Sequence, residues 1–262
     1  MSKDLLIKKP IFSSTALRDL LFNLISRDLK LKYQGSILGF LWSLVNPLMT
    51  LVIYSWVFLV LMKSSIPHFP IFLMAGILPW NFFANATMSS VDAFTGNASL
   101  IKKVPIPKTI FIGSLIGFNL VIFVMVLAIV LVAMPIFSVP YTFRLLLIIP
   151  GLIAEIALLI GLSLTVSTLN VLFHDTAHIL EILLMAWFWV TPITYQMSFV
   201  PQRFDWLLEL NPMTFIINIF QMAILGTGFH ASFYIGLIEI FFVMAIGIWL
   251  YRKYRYDMVE WI

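Results

Sequence analysis

The sequence contains no cysteine, which excludes disulfides and cysteine-ligated metals and leaves the compartment open. Charge is also scarce: 11% of the 262 residues are Asp, Glu, Lys or Arg, against about 25% in ordinary soluble domains. No polar stretch approaches the size of a soluble domain. No glycine-rich phosphate cradle with a following lysine occurs, so nucleotide-driven work would need a second chain. The sequence also shows no signal-peptide pattern, because the first long apolar run begins after about thirty mixed residues and lacks a small-residue cleavage site.

What fills the chain is apolar, at 61% of residues. One soluble domain could not enclose that much apolar surface, whereas a membrane protein turns it toward lipid. Tyr33 to Met62, Ser64 to Val91 and Thr109 to Phe143 carry no charge. Leu145 to His174, Thr176 to Gln202 and Leu210 to Tyr251 carry one carboxylate each, Glu155, Glu181 and Glu239. Each run exceeds the roughly 20 residues that cross a hydrocarbon core. The expectation is an all-α, polytopic chain of one transmembrane domain over 1–262, with spans at about 35–62, 69–91, 109–137, 145–172, 177–195 and 232–251.

Thirteen of the sixteen Lys and Arg lie in the N-terminal segment, the second-to-third loop and the tail, with Lys63, Arg144 and Arg203 elsewhere. The positive-inside bias then puts both termini in the cytoplasm, and an odd span count would spoil that split. The +4 net charge reflects this topology and not a nucleic-acid partner.

Leu17, Leu20, Leu21, Leu24, Ile25 and Leu29 recur at helical spacing, with Arg18, Asp19, Asn23, Arg27 and Lys30 largely opposite. This predicts an interfacial amphipathic helix over 13–32. Pro105 and Pro107 stiffen the loop Asp92 to Lys108, which is either a solvated stop-transfer loop or a docking element for a cytoplasmic partner. Residues 196–226 read as re-entrant, since Met213 to Leu225 is apolar but too short to span.

Asp175 is expected to cap the fifth span. His174, His178 and Glu181 share a spacing compatible with metal ligands, but no second ligand cluster supports a metal site, and none is expected. Glu155, Glu181 and Glu239 occur singly, without a basic partner in the apolar core, which speaks against a proton relay. Trp42, Trp80, Trp206, Trp249 and Tyr251 fit interfacial belts near span ends. The cluster AWFWVTPITYQ, Ala186 to Gln196, is denser than a belt requires, and stacked rings with few charges suit the C–H faces of sugars.

Four segments in order, RDLKLKYQGSILGFLWSLVNPLMTLVIYSWVF (Arg27 to Phe58), KKVPIPK (Lys102 to Lys108), NVLFHDTAHILEILLMAWFWVTPITY (Asn170 to Tyr195) and LNPMTFI (Leu210 to Ile216), resemble ABC-2 type polysaccharide exporter permeases. Lys32 stands where that family often has Arg, and His174 stands where an Arg commonly precedes the Asp. The resemblance implies a non-enzymatic subunit of the bacterial inner membrane. It would be a homodimer bound to two separate ATPase subunits that hold ATP and Mg, the permease itself carrying no cofactor. The cargo implied is a glycan on an undecaprenyl-pyrophosphate-type lipid, as in O-antigen and lipopolysaccharide biosynthesis, with capsule, teichoic acid or a small lipid or drug as alternatives.

On that reading Arg27, Lys30 and Lys32 attract the lipid pyrophosphate. Ser99, Leu100, Lys102, Lys103 and Lys108 belong to a coupling element that meets the ATPase, and Tyr54, Trp56, Phe58, Trp187, Trp189 and Tyr195 line the channel. A proton-driven carrier and a membrane glycan-modifying enzyme are the rivals from other classes. The second is disfavoured because no loop gathers an acid, a base and a metal set.

Overall fold

The computed structural model describes residues 13–35, 39–61, 63, 66–226 and 233–262. Lys3, Lys8 and Lys9, residues 36–38 and Met62 of the first expected span, and the start of the last at Ser232 lie outside the described residues. All regular structure among those described is helical.

Helix α1, Ser14–Tyr33, begins where Ser13 Oγ accepts a hydrogen bond from the Ala16 amide at 3.2 Å, an N-cap that satisfies an otherwise orphaned donor. It lies against α5, Thr109–Ile136, with Leu24 buried and Ile25 packed over Gly117. Phe22 and Leu31 stay exposed.

A 3₁₀ turn, Gly39–Leu41, leads into α2, Trp42–Trp56, and a π turn, Val57–Leu61, follows it. Helix α3, Phe69–Val91, starts at His68, whose backbone is left-handed and whose ring Nδ1 lies 2.8 Å from the carbonyl oxygen of Phe137, just past α5. Pro70 in the first turn needs no intrahelical amide partner, so it favours the start. Most of α3 is buried, and it forms the centre of the bundle against α5, α6 (Ile148–Leu172) and α9 (Pro212–Leu225).

Helix α10, Phe233–Tyr254, packs on α6 at glycines. A Cβ on Gly247 would sit 2.0 Å from the Gly161 carbonyl oxygen, and one on Gly161 would sit 2.5 Å from Met244 Cα. Small residues let two backbones approach where lipid supplies no hydrophobic drive between helices, leaving dispersion contacts as the main attraction.

The remaining elements are short: α4 (Ala98–Lys103), α7 (Thr176–Val190), α8 (Asp205–Glu209) and α11 (Met258–Trp261). Phe69–Val91, Thr109–Ile136, Phe143–Leu172 and Phe233–Tyr254 are long and apolar enough to cross a membrane, and the pair Gln202–Glu209 and Pro212–Leu225, bent by 94°, makes a fifth if counted as one. Six spans were expected from the charge-free runs. The difference arises at α2 and α7, which as α-helices hold 15 residues each, below the roughly 20 that a full crossing needs. A π turn takes over where α2 ends, and at Thr191 the chain leaves α7 for extended backbone ahead of Pro192.

Asp175 does occupy the residue before α7, but its backbone is already helical and its side chain makes no capping bond. The local bond is instead the Thr176 hydroxyl donating to the Phe173 carbonyl at 2.6 Å.

Candidate functional site: an aromatic groove and an amide-lined cavity

Tyr54 of α2, Trp80 of α3 and Leu184, Met185, Phe188 and Trp189 of α7 line an open groove of about 340 Å³. Its rings interlock edge to face: Trp80 on Phe188 at 5.6 Å and Phe188 on Trp189 at 5.3 Å. Such geometry places the positive edge of one ring on the negative face of the next and stiffens the wall. Trp80, assigned above to an interfacial belt, lies within α3 and is buried beneath this groove.

The expected channel residues separate into two groups. Tyr54 and Trp189 reach the groove, Trp189 being 59% exposed, while Trp56 is 56% exposed but is not among the groove's lining residues. Trp187, Phe58 and Tyr195 are held from behind. Trp187 Nε1 donates to Asn211 Oδ1 at 2.8 Å and its ring meets Phe83 edge-on at 5.2 Å. Phe58 stacks on Phe69 at 5.2 Å. The Tyr195 hydroxyl lies 3.1 Å from the carbonyl oxygens of both Trp189 and Val190, closing the end of α7.

Asn211 organises this end of the molecule. Besides Trp187, its Oδ1 accepts the Met213 amide at 3.0 Å and so caps α9, while its Nδ2 donates to Thr191 Oγ1 at 3.0 Å. Gln221 Nε2 reaches the Pro192 carbonyl at 3.4 Å, and Ile193 seats its backbone over Gly76, where an added Cβ would lie 3.1 Å from the Ile193 carbonyl oxygen. The turn after α7 is thereby fixed on both α3 and α9.

Sequence reasoning missed a second feature, a cavity of about 330 Å³ between the end of α1, α2, α3 and α5. Asn46, Asn81, Asn85 and Asn119 line it, joined by Thr50, Trp42 and Lys32. Asn46 and Thr50 are four apart on α2, as Asn81 and Asn85 are on α3, so each pair shares a helix face. The only signal in the sequence is four amides inside uncharged runs, and nothing there shows that they meet. Lys32 holds its ammonium 5.0 Å from the Phe118 ring centroid, and the surrounding protein pulls its pKa below the ordinary lysine value by desolvation. Arg27 forms a 2.8 Å ion pair with Asp28, and Lys30 is exposed.

In the expected coupling element, α4 buries Ile101 and turns Ser99, Lys102 and Lys103 outward, with Leu100 half-buried. Asp92 Oδ1 accepts from Asn170 Nδ2 of α6 at 3.0 Å and from Thr95 Oγ1 at 3.2 Å, tying the segment to the bundle. Lys108 donates to the Arg255 carbonyl; burial first, and the Arg255 charge second, push its pKa down. Glu155 is fully buried in α6, and neither of its carboxylate oxygens, nor those of Glu239, has a partner among the described residues. Among those residues no three His, Cys, Asp or Glu converge as metal ligands.

Three relatives align over most of this length. An O-antigen export system permease protein of Klebsiella pneumoniae is 29% identical over 92% of this chain and 94% of its own. One of the same description from Myxococcus xanthus is 32% identical over 78% and 79%. A polysialic acid transport protein of Escherichia coli is 24% identical over 86% and 90%. The ABC-2 type transporter family model matches residues 19–225, and the chain belongs to that family.

Proposed function

We propose that this chain is the membrane-spanning subunit of an ATP-driven exporter that moves a lipid-linked, O-antigen-like polysaccharide out of the cytoplasm across the inner membrane. The observation that carries this reading is the ring-lined groove built from Tyr54, Trp80, Phe188 and Trp189, in a family member whose aligned relatives are named for O-antigen export and polysialic acid transport. Rings contact each sugar unit weakly and alike, so a long polymer can keep moving. In this reading Tyr54, Trp56 and Trp189 face the glycan, and Trp187, Phe58 and Tyr195 hold that wall in place.

The working unit is a homodimer of six-span subunits with both termini in the cytoplasm and α1 in the cytoplasmic interface. Residues 196–226 form the re-entrant outer closure. Two copies of a separate ATPase bind and hydrolyse ATP with Mg and meet Ser99, Leu100, Lys102, Lys103 and Lys108. Arg27, Lys30 and Lys32 draw in the lipid pyrophosphate, Lys as a point charge and Arg as a fork. Capsule or teichoic acid would use the same surfaces. A small lipid or drug would have less use for a groove of interlocked rings.

The test is surface polysaccharide in cells carrying Trp189→Ala together with Tyr54→Ala. Export falls at least severalfold while the permease still copurifies with its ATPase; unchanged export removes the groove from the mechanism.

A further inference from the structure

The cavity between α1, α2, α3 and α5 is lined by side-chain amides that the fold itself leaves largely unused. Among the described residues the side-chain amides of Asn46, Asn81 and Asn85 form no hydrogen bond, and Asn119 uses only its Nδ2, which donates to the Leu115 carbonyl at 2.9 Å. Thr50 donates to the Asn46 carbonyl at 2.9 Å, which leaves its oxygen able to accept. Asn46 and Asn85 are exposed and Asn81 is half-buried, so donors and acceptors of these amides are open to a ligand in the cavity.

The donor set selects among ligands. A lipid tail offers these amides nothing. A phosphate offers acceptors only, satisfying amide N–H groups and leaving four amide oxygens unmatched. A sugar offers neighbouring hydroxyl and acetamido groups that both donate and accept, which matches an amide and a hydroxyl four residues apart on α2 facing two amides four apart on α3. Trp42 adds a ring for a sugar face, and Lys32 adds a cation for a phosphate beside that sugar. The volume of about 330 Å³ lies at the low end of the roughly 300–1,000 Å³ usual for ligand pockets, so it fits a unit and not a polymer.

Building on the proposed function, we infer that this cavity is a recognition site for the sugar joined to the lipid diphosphate: Asn46, Asn81, Asn85 and Asn119 read the sugar, and Lys32 holds the adjoining phosphate. The site lets the permease tell a loaded carrier lipid from an empty one before the polymer enters the groove.

The experiment measures binding to the permease–ATPase complex in nanodiscs by two probes, undecaprenyl diphosphate bearing a single N-acetylglucosamine and bare undecaprenyl diphosphate. The sugar-bearing probe binds about tenfold tighter or more, since each hydrogen bond the bare probe leaves unmade weakens binding about severalfold to tenfold. Asn81→Leu and Asn85→Leu erase that difference and leave the bare probe unchanged. Asn85→Gln retains part of it, and Lys32→Gln weakens both probes. Asn85 is open to the cavity, so Asn85→Leu keeps the test decisive should Asn81→Leu fail to assemble. Equal binding of the two probes, or a difference that survives both leucine variants, overturns the inference while polysaccharide export by the wild type still upholds the proposed function. Binding of neither probe overturns both.

Discussion

At the residue scale, two tryptophans two positions apart do different work. The Trp187 indole is one of three partners of Asn211, and replacing it by Phe leaves a buried acceptor under-satisfied at the junction of α7, α9 and the turn between them. Trp187→Phe should destabilise the protein by about 1–3 kcal/mol, visible as a lower melting temperature in detergent. Trp189→Ala should lower export and barely move that temperature, because its ring is mostly exposed; equal thermal losses in both would dissolve the distinction. Lys32 yields a pH test. Its ammonium must be protonated to hold a phosphate, and burial has lowered its pKa, so probe binding falls as pH rises through a value below that of an ordinary lysine. Lys32→Arg, which stays charged, should remove that fall. A wild-type profile as flat as the arginine variant's would separate Lys32 from the phosphate. In the sequence the rings were legible as a crowd, but not which ones turn inward, because that depends on Asn211, a residue 24 positions away.

At the element scale, the short helix α4 and the long pair α6 and α10 are held by opposite means. Helix α4 relies on one buried side chain, Ile101, and on the Asp92 tie to α6, and it leaves Lys102 and Lys103 exposed. Replacing both lysines by Glu should uncouple the partner, raising ATP hydrolysed per unit of polymer exported severalfold while the fold survives; an unchanged ratio would return this loop to a plain solvated connection. The α6–α10 seam tolerates nothing larger than glycine at its centre. Gly247→Val should abolish recovery of folded protein from membranes, whereas Ala at Gly96, whose added carbon would find only the Asp92 Cβ at 3.8 Å, should be accommodated. Charge fences located the long helices within a few residues, since lipid leaves so little choice about where charge can sit. The breaks were harder to read. The expected fifth span ran to 195, whereas α7 ends at Val190, before Thr191 and Pro192, and nothing in VFLVL marks a π turn, which comes from packing and not from local preference. The amide cavity escaped notice because its members come from α2, α3 and α5, and only their union makes a site.

At the scale of the whole molecule, the proposed dimer rests on the groove. Its wall is open, and the surface beside it is apolar: Val52, Ile53 and Trp56 on α2 and Ile182, Leu183 and Met185 on α7 are all exposed. A channel that shields sugar from lipid cannot have such a side facing acyl chains, since the hydroxyls would lose water without gaining partners. A second copy presenting the same face across a two-fold axis would close the groove with more rings, and a self-complementary contact of this kind is the commonest symmetry among homo-oligomers. The absence of cysteine makes the geometry directly testable, because any single introduced thiol is the only one in the chain. Met185→Cys, on the groove, should link two copies in native membranes when a short bis-maleimide is added, giving a band at twice the monomer mass. Phe241→Cys, on the exposed outer face of α10, should stay monomeric under the same treatment. Linking through Phe241 with none through Met185 would move the dimer contact to α10 and leave the ring-lined groove facing lipid, which a glycan channel does not permit.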